Sequence, residues 1–396
     1  MIHPAGIVPT KERSFHENGS SGKPLLFAAM LCSALSVVLL YSIYINHTLS
    51  EIDDDDYIIQ LVAVGIGVLS VLVLAAIDYH KIARLWFVYA PIALILVLLT
   101  FTSLGYRRAG ADDQAWLQLG SVTLQPSEIL KLAFILTFSL HLAKDEENMN
   151  RPLHMLLLIL HGCMPIGLVF LQGDYGTAVV FAFIFAAMML IAHISWKYVL
   201  AGMIAVPAAL VVAWNFVLGS LHKNRILVLL HPGTDPEGLE YQQDLGLSAL
   251  ASGKLFGVGL FDGDSYISVP EMHNDFIFSY IGQTLGFVGA MAVVLVMVFL
   301  CLRTLANGLR ANDRQGMFLC IGVSSMIFTH CFMNIGMVLK VMPVIGVPLP
   351  FLSAGGTSTL SMYIAIGMVI SVRTHNERKY NVFYDYKNPT LARVGR

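Results

Sequence analysis

Asp275 stands where a long polar stretch, 219–274, gives way to the apolar run Phe276, Ile277, Phe278. An ionisable side chain at the mouth of a membrane segment is expensive to hold there, so its default reading is functional. Two further stretches carry carboxylates in a similar setting. In Gln125-Pro126-Ser127-Glu128-Ile129-Leu130-Lys131, Pro126 can open a helix and Ser127 can serve its open amides. Glu128 and Lys131 then fall at i and i+3 on one face, where they can pair at partial membrane depth, fix a short helix or line a substrate cavity. In Gln172-Gly173-Asp174-Tyr175-Gly176-Thr177 a tight turn precedes an apolar run. Asp174 falls where the free amides of a helix start stabilise a carboxylate, and a cap and a functional acid are both open readings.

The polar stretch before Asp275 contains Lys223-Asn224-Arg225, then Tyr241-Gln242-Gln243, then Gly253-Lys254-Leu255-Phe256-Gly257-Val258-Gly259, and ends His273-Asn274. The glycine run has neither the spacing nor the Lys-Ser/Thr ending of a nucleotide-binding loop. His273 could shuttle a proton or pair with Asp275. A fourth polar island, 343–358, places Pro343, Pro348 and Pro350 ahead of Ser353, Gly355 and Gly356. Such a sequence cannot form a regular helix, and broken backbone near membrane depth is tolerated only where it packs on protein or lines a cavity. It predicts a re-entrant bend that completes a site on the same side as Asp275.

The elements that must position these residues are membrane helices. The chain is 56% hydrophobic and 13% charged, with a mean hydropathy of +0.70, whereas ordinary soluble domains are about 25% charged. Apolar stretches long enough to cross about 30 Å of hydrocarbon fall at 25–45, 58–77, 85–101, 155–171, 177–192, 198–218, 276–302, 316–338 and 347–372. A tenth, 129–143, is shorter and interrupted by Lys131. With all ten crossing, 17 of the 24 Lys and Arg residues lie on one side, six on the other and Lys131 within a span. Basic residues are retained in cytoplasmic loops, so both termini are expected in the cytoplasm and 219–274, with Asp275, outside.

The expected organisation is an all-α polytopic membrane protein: a cytoplasmic tail, 1–24, a membrane domain, 25–372, with its large outer loop between helices seven and eight, and a second cytoplasmic tail, 373–396. An outward site has no access to ATP, so any driving force must come with the substrate. The first apolar segment lacks a small-residue cleavage pattern and reads as an uncleaved anchor. The acidic run 51–56 reads as a solvated cap. Cys32, Cys163, Cys301, Cys320 and Cys331 lie in or beside apolar spans without metal-like spacing and read as small buried hydrophobes.

Taken together, the islands resemble the bacterial SEDS family (shape, elongation, division and sporulation), which includes the RodA, FtsW and SpoVE polymerases. The matching motifs are Trp116 with Gln125-Pro126-Ser127-Glu128 and Lys131; Asp174-Tyr175-Gly176-Thr177; Tyr241-Gln242 before a glycine-rich run; His273-Asn274-Asp275-Phe276-Ile277-Phe278; and Gly346-Val347-Pro348-Leu349-Pro350-Phe351 with Ser353, Gly355 and Gly356. They occur in the family's order across nearly the whole membrane region.

The resemblance implies an inverting peptidoglycan glycosyltransferase that polymerises lipid II, a disaccharide pentapeptide on undecaprenyl pyrophosphate, into β-1,4 glycan strands. It implies Asp275 as catalytic base and Glu128, Lys131 and Asp174 as functionally important, with Arg225 and Tyr241 matching positions in the outer loop. One carboxylate can serve where a glycosidase needs two, because pyrophosphate departs with little protonation. The leaving group needs positive charge, for which Lys131, Arg225 and Lys254 are candidates ahead of Arg107, Arg108 and Lys340, or a divalent cation, Mg or Mn. Asp275 is expected at the start of the eighth helix, where free amides favour its charged form. His273 and Ser353 complete the expected substrate site. The implied partners are a class B penicillin-binding protein transpeptidase and membrane lipid, with no nucleic acid. Ala115, Val258 and Gln283 stand where the family usually carries charge, and Leu245-Gly246 where Gln-Ser is frequent. The competing readings are a transporter of the lipid-linked precursor and a scaffold that recruits a transpeptidase.

Overall fold

The computed structural model describes residues 22–46, 56–107, 113–120, 122–231, 233, 238–261 and 266–387. Most of the first tail, the acidic run before Asp56, Arg108 and the end of the second tail lie outside the described residues. The membrane domain opens with α1 (Lys23–Ile45), α2 (Asp56–Ala76), the short α3 (Tyr79–Arg84) and α4 (Trp86–Leu99). After a small sheet come α5 (Pro126–Lys144), α6 (Pro152–Leu171), α7 (Tyr175–Ile191) and α8 (Trp196–Val212), which runs on into a π-helical turn, Ala213–Val217. The chain then forms α9 (Ser220–Leu230), α10 (Leu239–Ser252), α11 (Ile277–Leu309), α12 (Arg314–Val338) and α13 (Gly356–Lys387).

Seven of these are long and apolar enough to cross a membrane: α1, α2, α5, α6, α8 with its π-turn, α11 and α12. Helices α4 and α7 are shorter and apolar, and α13 occupies the last expected span. The chain is therefore an all-α, multi-span membrane protein. Burial sorts the helices by solvent. No residue of α8 is buried, and its apolar side chains face outward on all sides, as lipid-facing helices do. By contrast α5 is buried along most of its length, packed by α4, α6, α12 and α13. That position explains how α5 can be the least hydropathic of the seven: protein, not lipid, surrounds Glu128 and Lys131.

Three expectations change. The stretch 347–372 is not helical throughout, because 341–355 is irregular and α13 begins only at Gly356; the three prolines and Gly355 account for the difference. The polar stretch 219–274 is partly ordered as α9 and α10. Between α4 and α5 the chain forms a three-stranded antiparallel sheet, β1 (Gly105–Tyr106), β2 (Trp116–Leu119) and β3 (Val122–Leu124). Leu119 pairs with Val122, and Gly120 next to Leu119 has φ +68°.

The glycine-rich run docks into a break in α11. Gly286 has φ +68° and interrupts the helix, leaving carbonyls and amides on either side of the break to find other partners. Val258 and Gly259 donate to the Gln283 and Thr284 carbonyls, while Phe287 and Val288 donate to the Lys254 and Leu255 carbonyls. The exchange gives partners to backbone groups that the break leaves without helical ones. It also requires glycine: a methyl group at Gly286 would lie 2.3 Å from the Gly257 nitrogen.

Candidate functional site

Pro126 is the first residue of α5, as its fixed φ favours. Ser127 does not serve the open amides, since its hydroxyl is buried without a hydrogen-bond partner. Glu128 and Lys131 are 1% and 0% exposed, and Lys131 Nζ lies 2.8 Å from Glu128 Oε1. Ser361 on α13 donates to Glu128 Oε2 at 2.6 Å. Lys131 Nζ also lies 2.9 Å from His330 Nε2, and His330 Nδ1 lies 3.0 Å from the Pro348 carbonyl. An ammonium only donates and a carbonyl only accepts, so the two contacts assign one tautomer, with the proton on Nδ1 and the lone pair on Nε2. Two charges removed from water are thereby compensated by each other and by three helices.

The 343–358 segment is where the islands meet. Asn334, one turn beyond His330 on α12, donates to the Val347 carbonyl at 2.9 Å and to the Asp275 carbonyl at 2.8 Å. Ser353 donates to the Asn274 carbonyl at 2.7 Å and accepts from the Leu349 amide at 2.8 Å, and the Ala354 amide donates to the His273 carbonyl. From α9, Arg225 Nη1 donates to the Val344 carbonyl at 3.3 Å. From α1 and α2, Ser36 donates to the Leu352 carbonyl, and Gln60 reaches the Ser353 carbonyl and Thr359. Gly176, beside Asp174, lets α7 approach the Ile345 carbonyl so closely that a methyl group there would sit 2.4 Å from it.

Asp275 lies in the turn ahead of α11 and not at the helix start, for Phe276 takes the N-cap position and Ile277 begins the helix. Its carboxylate faces Gly346, where a methyl group would lie 3.3 Å from Asp275 Oδ2; Gly346 itself has φ +64°. Glycine thus serves twice, for the turn and for the close approach. His273 is partly buried beside it, with no hydrogen-bond partner at Nδ1.

Asp174 caps α7, accepting from the Thr177 amide at 2.9 Å and from Gln125 Nε2 at 3.1 Å. Burial, reinforced by the negative charge of Asp113, pushes its carboxyl up to about 6 against the pull of the Thr177 amide.

Glu128, Lys131, Arg225, His273, Asp275 and Ser353 are thus brought onto one framework, with Asp174 beside it through Gly176. Tyr241 is exposed on α10. Lys254 is exposed at the break in α11, where its carbonyl accepts from Phe287, beyond the first helical stretch that follows Asp275. Lys340 pairs with Asp244. Ala115 and Gln283 are buried, and both side-chain polar atoms of Gln283 lack a partner. Sequence reasoning missed His330, Asn334, Ser361 and Gln60. A lone polar residue inside an apolar helix is the signal each leaves, and only the fold says what it meets. Among the described residues no group of three or more His, Cys, Asp or Glu side chains could hold a metal ion.

The family profile for FtsW, RodA and SpoVE, described as "Cell cycle protein", matches residues 23–378. The chain is 31% identical over 319 residues to the peptidoglycan glycosyltransferase MrdB of Escherichia coli, covering 79% of this chain and 84% of that protein. It is 30% identical over 374 residues to the stage V sporulation protein E of Bacillus subtilis, covering 89% and 96%. Its fold matches a chain of a peptidoglycan synthase complex that coordinates polymerization and crosslinking, with a TM-score of 0.74, 26% identity and coverage of 90% and 98%. It also matches the rod shape determining protein RodA of Thermus thermophilus, with a TM-score of 0.66, 24% identity and the same coverage. The helical framework, the motifs set into it and the match across 23–378 agree: the chain belongs to the bacterial SEDS family of RodA, FtsW and SpoVE.

Proposed function

We propose that this protein is an inverting peptidoglycan glycosyltransferase, polymerising lipid II at the outer face of the cytoplasmic membrane. Family membership supports the reaction class. The observation that carries the site is Asp275, whose carboxylate opens onto Gly346 while its backbone is fixed by Asn334. In the reaction, the acceptor's 4-hydroxyl oxygen attacks the anomeric carbon of the donor and Asp275 takes its proton. The new bond is the β-1,4 linkage; the bond to undecaprenyl pyrophosphate breaks, and its electron pair leaves on the pyrophosphate.

Arg225 spends one N–H on Val344, and the rest of its fork is suited to a phosphate. Lys131, fully buried and paired, acts through His330 and the 343–358 segment instead of touching substrate; Glu128 and Asp174 likewise position, and Ser353 holds the turn before Asp275. His273, only partly buried two residues before Asp275, is assigned a substrate contact. A Mg or Mn ion fits only as magnesium commonly binds, through one carboxylate plus substrate phosphates, with Asp275 as the carboxylate; it would supply positive charge to the departing pyrophosphate. Ten spans with cytoplasmic termini put the site outside, supported by the 17 to six division of Lys and Arg. Similarity to a chain of a synthase complex supports a transpeptidase partner of the class B penicillin-binding type.

Purified protein given labelled lipid II, with and without divalent cation, tests the reading. Strand formation by the native chain and its loss in Asp275→Asn are expected. Unchanged polymerisation in that variant would remove Asp275 as base, and a folded native chain with no polymerisation would favour the transporter or scaffold.

A further inference from the structure

A cavity lies at the opposite end of the bundle. Helix α5 carries Glu128 near its first turn and Lys144 at its last residue, about 24 Å apart along the axis, so the far end of α5 belongs to the other membrane face. There a cavity of about 270 Å³ is lined by His80, Arg84, Trp86, Leu140, Lys144 and Gln315. It is smaller than the roughly 300 Å³ at which pockets for drug-sized ligands begin. Its lining includes two basic side chains, Arg84 and Lys144, both exposed at its edge, and no carboxylate.

Four neighbouring acids are already engaged, while Glu147, three residues after Lys144, is exposed. Asp78 and Asp313 are bound to His80, and Asp313 also accepts from Tyr79 and the Gly316 amide. Asp145 is paired with His154 and His141, and Glu146 with Arg314. Arg84 and Lys144 have no such ion pair among the described residues. Gln315 supplies an independent sign of a ligand: its side chain is 7% exposed, it lines the cavity, and its Nε2 has no acceptor. A buried amide donor without a partner is costly, and a turn of the Gln315 side chain into the cavity it lines would let an anion with several acceptor oxygens satisfy it together with both cations. Trp86 stands half exposed at the rim, at the start of an apolar helix, in the manner of aromatic residues at a membrane–water boundary.

The geometry points to a phosphate-ester binding site formed by Arg84, Lys144 and Gln315 at the membrane face away from Asp275. The phosphate is supplied by an anionic phospholipid headgroup or by a soluble phosphate, and the chemistry of recognition is the same.

Thermal unfolding of the full-length protein in nanodiscs separates the sources. One arm replaces phosphatidylcholine with phosphatidylglycerol, and the other adds inorganic phosphate to phosphatidylcholine discs. A rise in unfolding temperature with phosphatidylglycerol assigns the lipid; a rise with inorganic phosphate assigns the soluble anion. In Arg84→Gln/Lys144→Gln the apparent affinity should fall about thirtyfold. Gln315→Leu removes the unpartnered donor, so this variant should be no less stable than the native protein in phosphatidylcholine, yet gain less from the anion. No rise in either arm, or a rise that persists in both variants, overturns the site.

Discussion

His330 and Asn334 stand one turn apart on α12 and hold consecutive carbonyls of one proline-rich segment, those of Pro348 and Val347. The first residue carries the lone pair that receives the Lys131 ammonium, and the second also holds the carbonyl of Asp275. One face of one helix therefore links the buried ion pair to the backbone of the proposed base.

Removing Asn334 tests that link. Asn334→Ala leaves the Asp275 and Val347 carbonyls without their donor, at a cost of about 1–3 kcal/mol. If the bond positions the base, the loss should fall on the rate: kcat for lipid II polymerisation down about ten- to a hundredfold, with KM little changed. A raised KM at unchanged kcat would show that Asn334 does not position Asp275.

The Glu128–Lys131 pair yields a different signature. Glu128→Leu or Lys131→Met alone strands a charge in a fully buried site, which costs about 3–5 kcal/mol. The double variant strands none and should recover most of the stability, giving a large coupling energy in a double-mutant cycle read by unfolding in detergent. Additive losses would show that the two side chains do not compensate each other.

The sequence made part of this arrangement legible. Helix α5 could be read despite its polar residues because Glu128 and Lys131 are local in sequence, and i,i+3 spacing alone puts them on one face. Pro126 and Asp174 were legible for the same reason, since helix starts are set by neighbouring residues. His330 and Asn334 were not, because their partners lie in other segments and nothing within α12 distinguishes them from inert polar residues. The glycine-rich run was visible as an oddity, but its purpose depends on Gly286, far along the chain, and on backbone exchange that no side-chain pattern encodes.

That exchange makes glycine substitutions unequal. Gly286→Ala places a methyl group against backbone atoms of Phe256 and Gly257, at a positive φ, and neither can move without breaking the hydrogen bonds across the α11 break. Gly167→Ala on α6 meets nothing within 4 Å and gains helix propensity. Proteolysis should cut near 253–261 in the first variant and leave the second like the native protein. Equal resistance in both would mean that the loop is not held by the break.

Asp174 gives a pH dependence whose sign follows from its environment. Burial raises its carboxyl from 3.8 to about 6 in the folded chain, so between those values the native state holds a proton that the unfolded state has released. Stability must then fall as pH rises from about 4 to about 6 and level off above, a change of roughly 3 kcal/mol for a shift of this size. Asparagine is an equally good helix cap and does not titrate, so Asp174→Asn should lack this slope. Unfolding midpoints of the two proteins, compared from pH 4 to 7, should diverge in favour of the variant across that window and run parallel above it. A constant gap, or one that moves the other way, would show that Asp174 is solvated or paired with a cation in the folded protein.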